Sequence, residues 1–179
     1  MATHRVRLHF RSLSLTETPF DELLRSAELV YAPHGIQIEF QSGMSLGLSE
    51  DEAERFQQID GSCNWNIDSG EFSELQQLHA AVPSTEILVY YVERFGEAGL
   101  LGCGGHATER PACIVAARAS RWDTAHEIGH VLLTSAFSPV HSTDPANLMF
   151  QFSSTSNTTP ILTAAQVAQM KASPCCQTI

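Results

Sequence analysis

The fold of this chain is decided by residues 124 to 149, which read TAHEIGHVLLTSAFSPVHSTDPANLM. Within this stretch, His126 and His130 are four residues apart, and Glu127 directly follows the first histidine. On an α-helix, residues i and i+4 lie on one face, so the two imidazoles can direct a nitrogen at one metal ion. The adjacent carboxylate can then take a proton from a nearby water. The stretch therefore predicts a helix that carries a metal site.

The third ligand of this site has to come from further along the chain. A catalytic zinc site needs three protein ligands and one open position. No glutamate occurs between 131 and 179, so His141 and Asp144 are the downstream candidates. We favour His141 because imidazole is the commoner neutral ligand. It follows His130 by eleven residues, and we expect this long return to turn without glycine while Leu133 extends the apolar face of the helix.

Composition and charge describe an ordinary globular domain. The chain has 179 residues, of which 43% are hydrophobic and 17% charged, and this length predicts one domain. We expect an N-terminal sheet subdomain over about 1–130 and a C-terminal subdomain over about 131–179. The net charge of −10, with no basic cluster, argues against nucleic acid and membranes as partners.

The localisation is an expectation only. The first ten residues contain no apolar h-region, so no signal peptide is expected. The default is therefore the cytoplasm, and export by a route without a cleaved signal is the alternative.

Hydrophobic periodicity predicts the order of the elements. Strands at 6–10 and 36–40 flank a helix capped by Thr18, which indicates a βαβ unit with a parallel pair. The other predicted elements are a helix capped by Ser49, a helix through Phe72 and Leu75, strands at 86–92 and 112–117, a metal-site helix capped by Ser120 and a last helix capped by Thr163. The predicted fold class is α/β (α+β), a single domain with a mixed sheet.

The five cysteines leave the redox state open. Cys103 and Cys113 flank a predicted hairpin and can pair across it. Free thiols in a reducing compartment are the alternative.

With these residues placed, the segment resembles the metzincin clan of zinc endopeptidases, and most closely its matrixin branch. The residues that carry the likeness are His141-Ser142-Thr143-Asp144-Pro145 and Met149, which follows the histidine by eight residues as in that branch. The resemblance implies a mixed, twisted, five-stranded sheet with an active-site helix, a Met-turn and a C-terminal helix.

The resemblance also implies roles for individual residues. One zinc ion would be bound by His126, His130 and His141, with Glu127 as the general base and Met149 as the hydrophobic floor of the site. Extended substrate would pair with the sheet edge at about Leu101 to Thr108. The implied substrate-binding residues are Gly104, Gly105, His106 and Ala107 on this edge, and Phe150 and Phe152 around the side chain that follows the cleaved bond. For His106 the alternative is an ordinary solvated hairpin residue.

The chain departs from the matrixin pattern in three respects. Its third histidine is further away, no tyrosine lies two residues after Met149, and no acidic, glycine-rich loop matches the matrixin calcium and structural-zinc sites. We therefore expect a single zinc ion.

The leading functional hypothesis is a zinc-dependent endopeptidase in which Glu127 is the general base for a zinc-activated water. Its partners would be a peptide or protein substrate, and a protein inhibitor is a further candidate partner because no pro-segment is expected. The alternative is a catalytically silent, zinc-bound protein-binding module with a metzincin-like fold. A third hypothesis is that the motif is purely structural and binds no metal.

Overall fold

The computed structural model describes residues 2–60, 63–65, 67, 69–78 and 82–179. Its strands are β1 (His4–Ser12), β2 (Ile36–Ser45), β3 (Gln58–Ile59), β4 (Ile87–Val92), β5 (Arg94–Phe95), β6 (Gly102–Cys103), β7 (Ala112–Ala116) and β8 (Gln177–Thr178). Its helices are α1 (Phe20–Tyr31), α2 (Glu50–Phe56), α3 (Gly70–Leu78), α4 (Asp123–Leu133) and α5 (Ala164–Lys171), with one 3-10 turn at Ala32–His34. No helix among these residues is long and apolar enough to span a bilayer.

The main sheet is mixed, and it confirms the predicted fold class. Its order is β2-β1-β4-β7-β6; β1 pairs in parallel with β2 and β4, β4 pairs in parallel with β7, and β6 is antiparallel to β7. The five strands of this path match the predicted number, but β8 adds a sixth, antiparallel to the start of β1. A two-residue strand has no hydrophobic period, so the sequence did not predict it. β3 and β5 form a separate parallel pair.

The strand β4 separates two hydrophobic cores. All six of its residues are buried, as the uninterrupted apolar run predicted. Ile87, Val89 and Tyr91 belong to the core that also buries α1 and α4, whereas the alternate residues, such as Leu88, pack toward α2 and α3. This alternation follows from the two-residue period of a strand.

Two of the four predicted helix caps are confirmed. Ser49 and Thr163 each form a complete capping box, at the start of α2 and α5 respectively. The predicted cap at Thr18 was wrong, because the N-cap of α1 is Pro19. The Thr18 hydroxyl donates instead to the carbonyl of Ala119 at 3.4 Å.

The predicted Ser120 cap was also wrong. The N-cap of α4 is Trp122, which makes no side-chain cap. Asp123 instead accepts hydrogen bonds from the Ser120 backbone N–H and the Ser153 hydroxyl, each at 2.7 Å. At Thr18 a contact distant in sequence replaced the local cap, whereas at Ser120 the bond from its N–H to Asp123 forms the reciprocal half of the predicted capping box and the helix begins later.

Candidate metal centre

The helix α4 and the chain that returns after it bring three imidazoles together. The Nε2 atoms of His126 and His130 are 2.9 Å apart, and Nε2 of His141 is 3.1 Å from Nε2 of His130. One ligand atom from each of the three lies within 4.8 Å of the others. Zinc–nitrogen bonds of about 2.0–2.1 Å place tetrahedral ligands about 3.3 Å apart, close to these separations. The group can therefore hold one metal ion, whereas Asp144 is not part of it.

Burial keeps these imidazoles in the form that binds metals. It lowers the pKa of His126 to about 4 and, with the neighbouring histidines, that of His130 to about 2. The pKa of the more exposed His141 is lowered for the same reason. In addition, Nδ1 of His126 donates to the carbonyl of Leu148 at 2.7 Å, which fixes the tautomer with its lone pair on Nε2.

The carboxylate of Glu127 lies beside this group and lines the same cleft. The residue is only 6% exposed. Burial first, and then the nearby carboxylate of Asp123, raise the pKa of Glu127 well above its usual value. Burial also raises the pKa of Asp123, one helical turn earlier. The two acids give α4 a face of buried carboxyl groups beside the imidazoles.

A turn holds Met149 against Gly129, the residue before His130 on α4. Met149 is fully buried, and a Cβ placed on Gly129, inside the motif, would lie 2.6 Å from its sulfur. Asn147 fixes the turn, because its side-chain oxygen accepts the backbone N–H of Met149 at 2.9 Å. The same amide exchanges two hydrogen bonds, of 2.9 and 3.0 Å, with that of Gln166 in the capping box of α5. The site is thereby linked to the last helix.

The return from α4 differs from our expectation at its first residue. Leu133 is buried as predicted, but the next residue, Thr134, has φ 57° and ψ 179°. This region is essentially restricted to glycine, so the long loop does not remove the need for a positive φ. Thr134 adopts it without being glycine.

A cleft of about 620 Å³ runs past the three histidines. Of the residues expected to bind substrate, Gly104, Gly105, Phe150 and Phe152 line it, together with Gly102 and Leu101. His106 and Ala107 do not line it. Further lining residues, which the sequence did not single out, are Cys63, Asn64, Trp65, Glu97, Gly99, Leu100, Asp123, Val140, Gln151 and Ser153.

The expected substrate edge is already occupied at His106. Its backbone N–H donates to the carbonyl of Trp65 at 3.2 Å, and its carbonyl accepts the N–H of Ile67 at 3.3 Å. Its ring Nδ1 contacts the carbonyl of Ala107 at 2.9 Å. An extended substrate can therefore pair only with the edge before His106 while this contact persists.

The cysteine pairing that we considered is not formed. Cys103 is bonded to Cys63, forty residues earlier, whereas Cys113 is a buried free thiol, as are Cys175 and Cys176. Cys113 lies on the core face of β7, where it contacts apolar residues rather than β6. The sequence around Cys63 did not predict this disulfide, because the spacing of cysteines alone does not identify which of them pair.

Comparison with known proteins supports the fold. No protein-family model matches the chain, and no curated protein sequence matches it. The crystal structure of archaemetzincin from Methanopyrus kandleri is similar to it with a TM-score of 0.56 and 12% identity, covering 94% of both chains. Archaemetzincin from Archaeoglobus fulgidus, complexed with malonate, has a TM-score of 0.42 and 8% identity over 91% of this chain and 99% of that one, and is too distant to bear on the fold. The first likeness shows a shared fold.

Proposed function

We propose that this protein is a zinc-dependent endopeptidase. The observation that supports the proposal most strongly is the convergence of His126, His130 and His141 beside the buried carboxyl group of Glu127, in a cleft of about 620 Å³. Three neutral imidazoles with a fourth position open are typical of catalytic zinc. The archaemetzincin likeness agrees, since the name of that protein places it among the metzincins.

The residues divide the chemistry among them. When bound, zinc polarises a carbonyl and lowers the pKa of a water molecule to about 7. Glu127 takes the proton of the attacking water and passes it to the leaving amine. The burial that raises its pKa favours the second of these steps, because it stabilises the acid form that passes the proton to the amine. The Leu148 carbonyl keeps His126 oriented, and Met149 closes the site from below.

The backbone of β6 provides the place for an extended substrate. Leu101 accepts a hydrogen bond from the N–H of Ala116, and Cys103 pairs with Ile114. Because antiparallel pairs alternate, the backbone groups of the intervening Gly102 face away from β7, toward the cleft. A peptide can add to the sheet there, with Phe150 and Phe152 at the other wall around the residue after the cleaved bond.

We further propose that the site binds a single zinc ion and that its return segment is matrixin-like. Among the residues that the structure describes, the three histidines are the single group of three or more potential ligands that cluster within metal-binding distance. The turn that presents Met149 eight residues after His141 is the feature that favours the matrixin branch.

Peptide cleavage tests the proposal. Zinc-loaded protein and zinc-loaded Glu127→Ala are incubated with a proteome-derived peptide library, and the cut sites are mapped by mass spectrometry. We expect internal cuts by the wild type that are absent with the variant. Silence from both proteins, with zinc bound, would favour the protein-binding module instead. Equal cutting by both would refute the role of Glu127.

A further inference from the structure

A short segment of the chain lies over the end of the cleft next to His130. We call residues Cys63, Asn64, Trp65 and Ile67 the strap. The disulfide Cys63–Cys103 joins it to β6, and the two backbone hydrogen bonds of His106 join it to the chain just after β6. The strap is thus fixed to the sheet edge at both of its ends.

Glycines on the edge make room for the strap and for α4. A Cβ on Gly105 would overlap the carbonyl of Asn64 and lie 3.2 Å from Cδ1 of Ile67. A Cβ on Gly104 would overlap His130. Side chains are therefore excluded where the strap, the edge and the metal-site helix meet, and the strap sits directly on the backbone.

Trp65 is the largest of the strap residues that line the cleft. Its ring packs edgewise on the imidazole of His130, with centroids 5.9 Å apart and an interplanar angle of 77°. The residue is still 37% exposed and lines the cleft. An aromatic ring held in place but partly uncovered is a surface on which an apolar side chain gains burial.

The position of Trp65 indicates which part of the substrate it meets. Along the edge, Gly102 lies against Glu127, Gly104 against His130 and Gly105 against the strap. Trp65 is therefore at the C-terminal end of α4, whereas Asp123 and Ser153 are at its N-terminal end, linked by a hydrogen bond. The proposed function assigns the Phe150–Phe152 side to the residue after the cleaved bond, so Trp65 lies toward the residues before it.

We infer that Trp65 is a specificity-determining residue, which selects peptides with a large apolar or aromatic side chain before the cleaved bond. The strap also limits the edge available for pairing to the residues before His106, because His106 has both backbone groups occupied. The selection depends on the disulfide, which holds Trp65 against His130. This inference rests on the proposed function for its direction, but peptide binding alone can test it.

The test uses zinc-loaded Glu127→Gln protein, which keeps the cleft but cannot turn over. A random peptide library displayed on phage is selected against this protein with and without Trp65→Ala. We expect one position enriched in large apolar or aromatic residues, and about tenfold weaker discrimination at that position with Trp65→Ala. Synthetic peptides that differ only at this position give the dissociation constants.

Two matched variants locate the effect. Phe152→Ala, at the opposite wall, is expected to change the preference at a different position, on the C-terminal side. The double variant Cys63→Ser/Cys103→Ser is expected to weaken the same preference as Trp65→Ala. Tryptophan emission gives a second measurement: a selected peptide shifts it to shorter wavelength in protein with Trp65 and not with Trp65→Phe, since Trp122 is already buried.

The outcomes separate this inference from the proposed function. Unchanged selectivity with Trp65→Ala, an emission shift that persists with Trp65→Phe, or enrichment of lysine and arginine would each overturn the inference. Selective binding that depends on Trp65, without cleavage by the wild type, would support it while contradicting the endopeptidase. No binding of any peptide would overturn both.

Discussion

Gly102 is the position at which a single methyl group most directly perturbs the proposed general base. A Cβ built there lies 2.5 Å from both Cγ and Cδ of Glu127, whereas ordinary contacts are 3.4–4 Å. The carboxyl group of Glu127 must then move by about 1 Å, because the edge strand is fixed by its pairing with β7, and a displacement of this size costs about 100-fold in rate. Gly102→Ala is therefore expected to lower kcat/KM about 100-fold.

The assay compares Gly102→Ala with the wild type on one cleaved peptide, at equal zinc content. Overpacking is expected to lower the free energy of unfolding by about 1–3 kcal/mol, which urea denaturation measures. Gly47→Ala is the matched control, since nothing lies within 4 Å of its added Cβ. Activity of Gly102→Ala within twofold of the wild type, with zinc bound, would refute the argument that the position of Glu127 governs the rate.

Three further predictions concern stability. Thr134→Gly is expected to raise the free energy of unfolding by about 1 kcal/mol, because relief of a strained conformation exceeds the entropic cost of glycine. A lower free energy of unfolding, measured by urea denaturation, would show that Thr134 is not strained. Asn147→Ala removes the buried amide pair with Gln166 and is expected to lower the free energy of unfolding by about 2–3 kcal/mol. It is also expected to weaken zinc binding, which chelator competition measures. An unchanged zinc affinity would show that the turn does not support the site. Metal-free protein is expected to lose stability on acidification, because the folded pKa values of His126 and His130 lie below the unfolded value of 6.5 and the unfolded chain takes up protons first. Between about pH 7 and about pH 5 the loss is about 2 kcal/mol for each of these two histidines, and a slope unchanged in the double variant His126→Asn/His130→Asn would contradict this assignment.

The parts of the fold that were predictable are those specified by local patterns. The apolar run of β4 and the alternation in β1 predicted strands with buried residues, and the i, i+4 spacing of the two histidines predicted that they share one face of α4. Ser49 and Thr163 formed capping boxes because the serine or threonine, the helix start and the N3 acceptor are all local in sequence. Two of the three metal-binding imidazoles could be predicted for the same reason, because one helix carries both. The third, His141, was the preferred one of two downstream candidates.

The features that were missed depend on contacts distant in sequence. Cys63 and Cys103 are forty residues apart, and five cysteines offer many pairings that spacing cannot distinguish. The strap occupies, at His106, part of the edge that the family resemblance implied for substrate, and its backbone bonds there involve no motif from which they could be predicted. Thr134 shows a related limit, because the length of the return to His141 did not predict the positive φ at its first residue.

X-ray absorption at the zinc edge tests the central claim most directly. The claim is that His126, His130 and His141 hold one zinc ion and leave one position to solvent, beside Glu127. On protein loaded with zinc, the account predicts one ion per chain, three imidazole nitrogens at about 2.0–2.1 Å and one light-atom ligand that an added hydroxamate displaces. A fourth ligand from the protein that hydroxamate cannot displace, such as a sulfur at about 2.3 Å, would contradict an open catalytic site.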